Sequence, residues 1–151
     1  MTRQEWTRGE FVLSDDPSRL DLRAIHDYLA QSYWSPGIPF DTMQRAIAHS
    51  AAFGLFHRTD DGDRQIGFCR VVTDYATFGY LADVYVLDAF RRQGLAEWMM
   101  RVVHAHEALQ GFRRWVLVTR DAHPLYAKIG YRAVAEPATY MEWRRRRSYH
   151  E

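Results

Sequence analysis

Residues 81–110, LADVYVLDAFRRQGLAEWMMRVVHAHEALQ, run as a strand, a short arginine- and glycine-bearing loop, and an amphipathic helix. The largely apolar run Leu81 to Val86 reads as the buried centre of a strand from Phe78 to Leu87. Leu95, Trp98, Met99, Val102 and Leu109 then share one helical stripe, and Gly111 marks its end. Between them lies Arg91-Arg92-Gln93-Gly94-Leu95-Ala96. A strand that ends in a small-residue turn and opens a helix aims several free backbone N–H groups at one spot. That spot is also the positive end of the helix dipole, which suits a phosphate. Taken alone the signal is weak, because any strand-to-helix turn can hold a glycine.

Working outward, the chain keeps a regular order. Glu10 to Ser14 forms a short strand, and Asp15, Asp16 and Pro17 mark a helix entry. Leu22, Ile25, Leu29 and Tyr33 carry a first helix to about Tyr33, where Pro36, Gly37 and Pro39 break it. Asp41 and Gln44 predict a capping box for a second, short helix. Phe53 to His57 pairs with Gln65 to Val72 across a turn at 59–64. After the central helix come a strand over Arg113 to Thr119, a short helix over Ala122 to Ile129, and weaker strands at Tyr131–Val134 and Thr139–Trp143. The pattern is α/β of the α+β kind: a mixed, mostly antiparallel central sheet of about six or seven strands with about four flanking helices.

Composition bounds the partners. A 151-residue chain with 47% hydrophobic and 26% charged residues is read as one domain over 1–151. A net charge of +1 gives no global field for nucleic acid or an acidic membrane. The run Arg144 to Arg147 is a solvated tail or, as a lesser alternative, an anion-binding patch. The one cysteine, Cys69, excludes an internal disulfide and falls in an apolar run where it acts as a small buried hydrophobe. No stretch is apolar enough to span a bilayer, nor does the N-terminus resemble a signal peptide, so a cytoplasmic location is expected. His104 and His106 lie two apart on a helix and face different ways, so no metal is expected. Edge strands at the C-terminus leave room for a homodimer.

The segment from Val84 to Ala96 resembles the acetyl-CoA-binding motif of the GNAT superfamily of N-acetyltransferases, Arg/Gln-x-x-Gly-x-Gly/Ala after a strand ending in valine. Arg91, Gly94 and Ala96 occupy its defining positions. Ala122-His123-Pro124-Leu125-Tyr126-Ala127-Lys128-Ile129-Gly130-Tyr131 is similar to the family's second stretch, A-x-x-L-Y-x-K-x-G-F, with tyrosine for the last phenylalanine. The two stretches stand in the order that the family requires, and together with the upstream strands the resemblance covers nearly the whole chain. The resemblance implies a GNAT fold, acetyl-CoA as co-substrate, and a primary amine of a small molecule, amino acid or peptide as acceptor. It also implies that backbone at Val84, Tyr85 and Val86 pairs with the pantetheine arm, and that Tyr126 acts as general acid at the departing sulfur.

The residues agree with that reading in their own terms. Gly94 lets the backbone approach a phosphate without a side-chain clash, and Ala96 keeps the first helical turn open. Amides over Arg92, Gln93, Gly94, Leu95 and Ala96 can cradle a pyrophosphate, with Arg91 or Arg92 adding charge-assisted bonds. Tyr126 is either that acid or a helix-surface aromatic. Asp83, an acid in an apolar strand, is the first candidate for general base, the alternative being a cap or a pair with an arginine. Tyr80, Asp74 and His123 are lesser candidates. Thr119-Arg120-Asp121 stands where many family members carry asparagine, which removes one expected cofactor contact. Tyr33, Trp34, Phe40, Asp74 and Tyr80 are expected to wall the acceptor, and would suit a small cationic amine. A non-catalytic acyl-CoA sensor is the alternative from another class.

Overall fold

The computed structural model describes residues 2–151. Its sheet has six strands in chain order: β1 (Glu5–Arg8), β2 (Phe11–Ser14), β3 (Ala51–Thr59), β4 (Gly62–Thr73), β5 (Phe78–Val86) and β6 (Arg114–Val116). The first five are antiparallel to their neighbours, and β6 joins β5 in parallel through the crossover helix α3 (Leu95–Ala105). Helices α1 (Leu22–Leu29) and α2 (Phe40–Ala48) cover one face, and α3 and α4 (His123–Ala127) the other. This is the mixed sheet and four helices that the sequence predicts.

Each face has its own apolar cluster. Met99, Met100 and Val103 of α3 pack on Leu13, Phe53, Leu55 and Val71. Ile25, Leu29, Met43 and Ile47 of α1 and α2 pack on Phe68 and Tyr85. Burial of side chains of this size contributes about 1.5–3 kcal/mol each. Tyr28 stacks flat on Tyr85 with ring centroids 3.9 Å apart, which fixes α1 over the end of β5.

Several local expectations change. β1, at 5–8, pairs with β2 across a Gly9–Glu10 turn in which Gly9 is left-handed, at φ 61°. β2, Phe11-Val12-Leu13-Ser14, is fully buried, whereas β1, Glu5-Trp6-Thr7-Arg8, has one large apolar residue, too little for a strand pattern to show in the sequence. α1 stops at Leu29 rather than Tyr33, because Ser32 and Gly37 turn the chain back through bonds to Leu29 and Ala30. The capping box at Asp41 and Gln44 is absent: α2 starts at Phe40, with Pro39 at its cap and Asp41 bonded only to Thr42 N–H. α3 ends at Ala105, before Gly111, because the His106 ring accepts from Ala108 N–H and caps a short 3-10 turn. β6 is three residues long rather than seven, and neither Tyr131–Val134 nor Thr139–Trp143 joins the sheet. Residues 132–147 are exposed throughout, and Tyr149 and His150 come back to rest on the α1–α2 connection.

Candidate active site

β5 and β6 pair only from Phe78 to Tyr80 and from Arg114 to Val116, while β5 continues to Val86. Beyond Tyr80 the two strands diverge and leave a wedge, with the main chain of β5 unpaired along one edge. The cause is local. In the β4–β5 ladder Phe68 faces Tyr85 and Arg70 faces Ala82, so Asp83 and Val84 together oppose Cys69. Asp83 takes a left-handed φ of 57°, an unfavourable conformation for a side-chain-bearing residue, and the extra residue bends the strand.

The Asp83 side chain holds that bulge. Arg70 Nε donates to one carboxylate oxygen at 2.5 Å, and Trp34 Nε1 donates to the other at 2.9 Å. Arg70 also donates to Ser50 Oγ at 3.1 Å. The Asp83 side chain is only 8% exposed, so the pair sits largely out of water. Among the alternatives open for Asp83, pairing with an arginine is the arrangement present. An arginine inside the apolar run Gly67 to Val72 is the sequence signal for it, because a cation there needs a partner.

Across the wedge, α4 brings in Tyr126. Its ring is buried and meets the Tyr131 ring edge to face at 5.8 Å. Burial, reinforced by the nearby Cys69 and Tyr33 groups, pushes its phenol up to about 12. The hydroxyl therefore stays protonated and keeps a proton to donate.

Past β5, the loop is shaped by two left-handed residues, Arg92 at φ 65° and Gly94 at φ 74°. Gly94 caps α3 with no side chain over the helix end, so the first-turn amides stay open. Arg91 has a different role from a free anion ligand: it donates to Val86 C=O at 3.0 Å and Tyr28 Oη at 3.1 Å, and pairs with Asp88. It ties the loop to β5 and α1. The Gln93 amide turns back to Phe90 C=O. A cation comes instead from β1, where Arg8 donates to Gly94 C=O at 3.2 Å. Its guanidinium lies 3.6 Å from where a Cβ on Gly94 would stand. Nothing in the sequence marks Arg8, because the contact joins residues 86 positions apart.

On the α1 side of the wedge, Tyr33, Trp34, Tyr80 and Asp83 come together. Tyr33 and Trp34 meet edge to face at 5.1 Å. Tyr33 Oη accepts from Arg120 N–H at 2.9 Å, and the Arg120 guanidinium stacks 3.9 Å over the Tyr33 ring. The pair thus bridges the wedge, one ring bonded to β5 and the other to the segment after β6. Burial raises the Tyr80 phenol, and Arg70 and Asp83 are close enough to act on it. Two expected wall residues lie elsewhere. Phe40 packs on His26 of α1 at 5.4 Å. Asp74 accepts from Ala76 N–H, Thr77 N–H and Thr77 Oγ1, bonds that hold its carboxyl well below the usual range and close the β4–β5 turn. With Asp83 paired and Asp74 occupied, neither acid is free to meet a cationic amine. Thr119 Oγ1 accepts from Ala122 N–H at the start of α4, where an asparagine was expected.

The histidines have partners of their own. His104 Nδ1 meets Met100 C=O at 2.7 Å, which assigns its proton there and leaves Nε2 to accept from Tyr131 Oη at 2.8 Å. Since Ala108 N–H donates to His106 Nδ1, His106 Nε2–H donates to Asp15 at 2.9 Å. His123 sits exposed at the start of α4. Among the described residues no three His, Cys, Asp or Glu side chains gather as a metal site, and no helix is long and apolar enough to cross a membrane.

The sequence matches the family model of the acetyltransferase (GNAT) domain over residues 53–133, which contains the bulge, the loop, α3 and Tyr126. A Gibberella zeae protein provisionally named as an acetyltransferase is 34% identical over 144 residues, covering 83% of this chain and 80% of its own. A GNAT-family crystal structure from Xanthomonas campestris pv. campestris, also provisionally named, is 45% identical with a TM-score of 0.83, over 89% of this chain and 92% of that one. NAA60 of Arabidopsis thaliana, solved with a bisubstrate analogue, shares the fold at 17% identity and a TM-score of 0.65, over 82% and 84% of the two chains. The diverging strands, the left-handed loop and the buried tyrosine thus lie in a chain that belongs to the GNAT family of acetyltransferases.

Proposed function

We propose that this protein transfers an acetyl group from acetyl-CoA, the donor general to its family, to a primary amine of a small molecule, amino acid or peptide. The observation that carries the reading is the Tyr126 hydroxyl, kept protonated by burial, near Cys69 at the β5 bulge and beside the free edge of β5. The residues fit the donor: open amides at Gly94 to Ala96, no side chain on Gly94, and Arg8 alongside provide for a pyrophosphate. The unpaired main chain at Val84 to Val86 provides for an extended amide-bearing arm. The thioester supplies the acetyl group and a thiolate leaving group.

Tyr126 then has one task, to donate its proton to that departing sulfur. Tyr33, Trp34 and Tyr80 position the amine. Asp83 acts through position: held by Arg70 and Trp34, it keeps the bulge that aligns β5. An amine whose own pKa lies near 8, as for an α-amino group, is partly neutral at physiological pH and can release its proton to water at the mouth.

Tyr126→Phe tests this directly. We expect CoA thiol release to fall about 100-fold, the range of a lost general acid, with acetyl-CoA affinity nearly unchanged. Because the phenol lies near 12, wild-type activity is also expected to show no Tyr126-linked loss as pH passes 10, where a free phenol is half ionised. Unchanged turnover in the phenylalanine variant would remove the role assigned to Tyr126. An acyl-CoA sensor would bind acetyl-CoA and release no thiol with any amine tried.

A further inference from the structure

Residues 117–122 carry the chain from β6 to α4, and Arg120 stands among them, across the wedge from β5. Arg120 holds Tyr33 twice. Its N–H donates to Tyr33 Oη at 2.9 Å, and its guanidinium lies 3.9 Å over the Tyr33 ring. The backbone bond fixes where the side chain starts, and the ring fixes where it ends. Tyr33 in turn lies near Tyr126, and its neighbour Trp34 donates to Asp83. Arg120 is thus a placed cation beside the buried tyrosine and the bulge.

The other charges there are already occupied. Asp83 and Arg70 neutralise each other, and Arg70 also donates to Ser50 Oγ. Asp74 closes its own turn. The Arg120 guanidinium, by contrast, makes no hydrogen bond among the described residues. Its ion pair with Asp121 spans 3.7 Å between two mostly exposed side chains, so a ligand can replace it at little cost. A guanidinium whose face rests on an aromatic ring keeps its planar N–H fork for a carboxylate. The same charge opposes an acceptor with a second ammonium group.

On the reading that the protein acetylates a primary amine, we propose that the acceptor is an amino acid with a free carboxylate, and that Arg120 binds that carboxylate. The amine nitrogen forms the bond to the acetyl carbon and the carbon–sulfur bond breaks. The sulfur takes the Tyr126 proton, the amine releases its own to water, and water restores the phenol. The carboxylate is unchanged throughout. Arg120 takes no part in the proton transfers; it sets which amines are held.

The test measures CoA thiol release by wild type, Arg120→Gln and Arg120→Lys, with L-amino acids and their α-amides as matched acceptors. For wild type, kcat/KM for the amino acid used best is expected to exceed that for its amide about tenfold, the value of one hydrogen bond to a charged group. Arg120→Gln is expected to abolish that preference through a higher KM for the acid. Arg120→Lys is expected to retain part of it, which a purely structural role for Arg120 would not produce. Equal use of acids and amides by wild type overturns the assignment and leaves acetyl transfer standing. So does a preference that Arg120→Gln leaves in place, or thiol release confined to benzylamine and putrescine, which carry no carboxylate. No release with any of these amines removes the acetylation reading as well.

Discussion

At the C-terminal end of β5 the site is made of main chain, and its residues are contiguous from Val86 to Ala96. Two left-handed residues and an uncapped helix start do the shaping there. A few residues earlier, at the bulge, the site is made of side chains drawn from Trp34, Ser50, Arg70, Asp83 and Arg120. The loop end can be altered through backbone conformation. The bulge end is altered through pairs, where removing one member strands the other.

The largest effect is therefore expected at Asp83→Ala, which leaves the Arg70 guanidinium buried without its partner. A loss of about 3 kcal/mol is expected in denaturant unfolding, as for other broken buried pairs. Asp83→Asn, which keeps a hydrogen-bond acceptor for Trp34, is expected to lose less. Equal stability of the alanine variant and wild type would mean that the bulge holds without the pair. Gly94→Ala comes next: at φ 74° a Cβ costs about 1–2 kcal/mol, and acetyl-CoA affinity measured by calorimetry is expected to fall with it. The smallest change in stability is expected for the exposed Arg8→Ala. Its thermal midpoint is expected to stay put while acetyl-CoA affinity drops about tenfold, the value of one hydrogen bond to a charged group. If Arg8→Ala instead unfolds the protein and spares affinity, Arg8 fastens β1 and has no part in the donor end.

The same division explains how much could be read beforehand. Gly94, Ala96 and Tyr126 stand at fixed short spacings, so their motifs survive in the sequence, as do the periodic stripes of α1 and α3. Arg8 reaching Gly94, Arg120 over Tyr33, and Arg70 with Asp83 are tertiary coincidences, and no local pattern encodes them. Asp74 illustrates the converse error: an acid near the site by sequence order proved to be the closure of its own turn, a role that Asp-x-x-Thr spacing favours. β1 escaped notice because Trp6 is its one large apolar residue, and a single tryptophan makes no alternation. Thr139–Trp143 has strand composition, yet the segment lies exposed outside the sheet, where composition alone cannot place it.

Cys69 gives the bulge a built-in clock. Its sulfur is fully buried opposite Asp83 and Val84, and burial together with the Asp83 charge raises its thiol well above the ordinary range. In the closed ladder it is inert, so an alkylating reagent can modify it only in the moments when β4 and β5 part. The labelling rate then measures how often that happens. A ligand that lies along the free edge of β5 would slow the clock, and loss of Asp83 would quicken it, with no need for turnover to be observed.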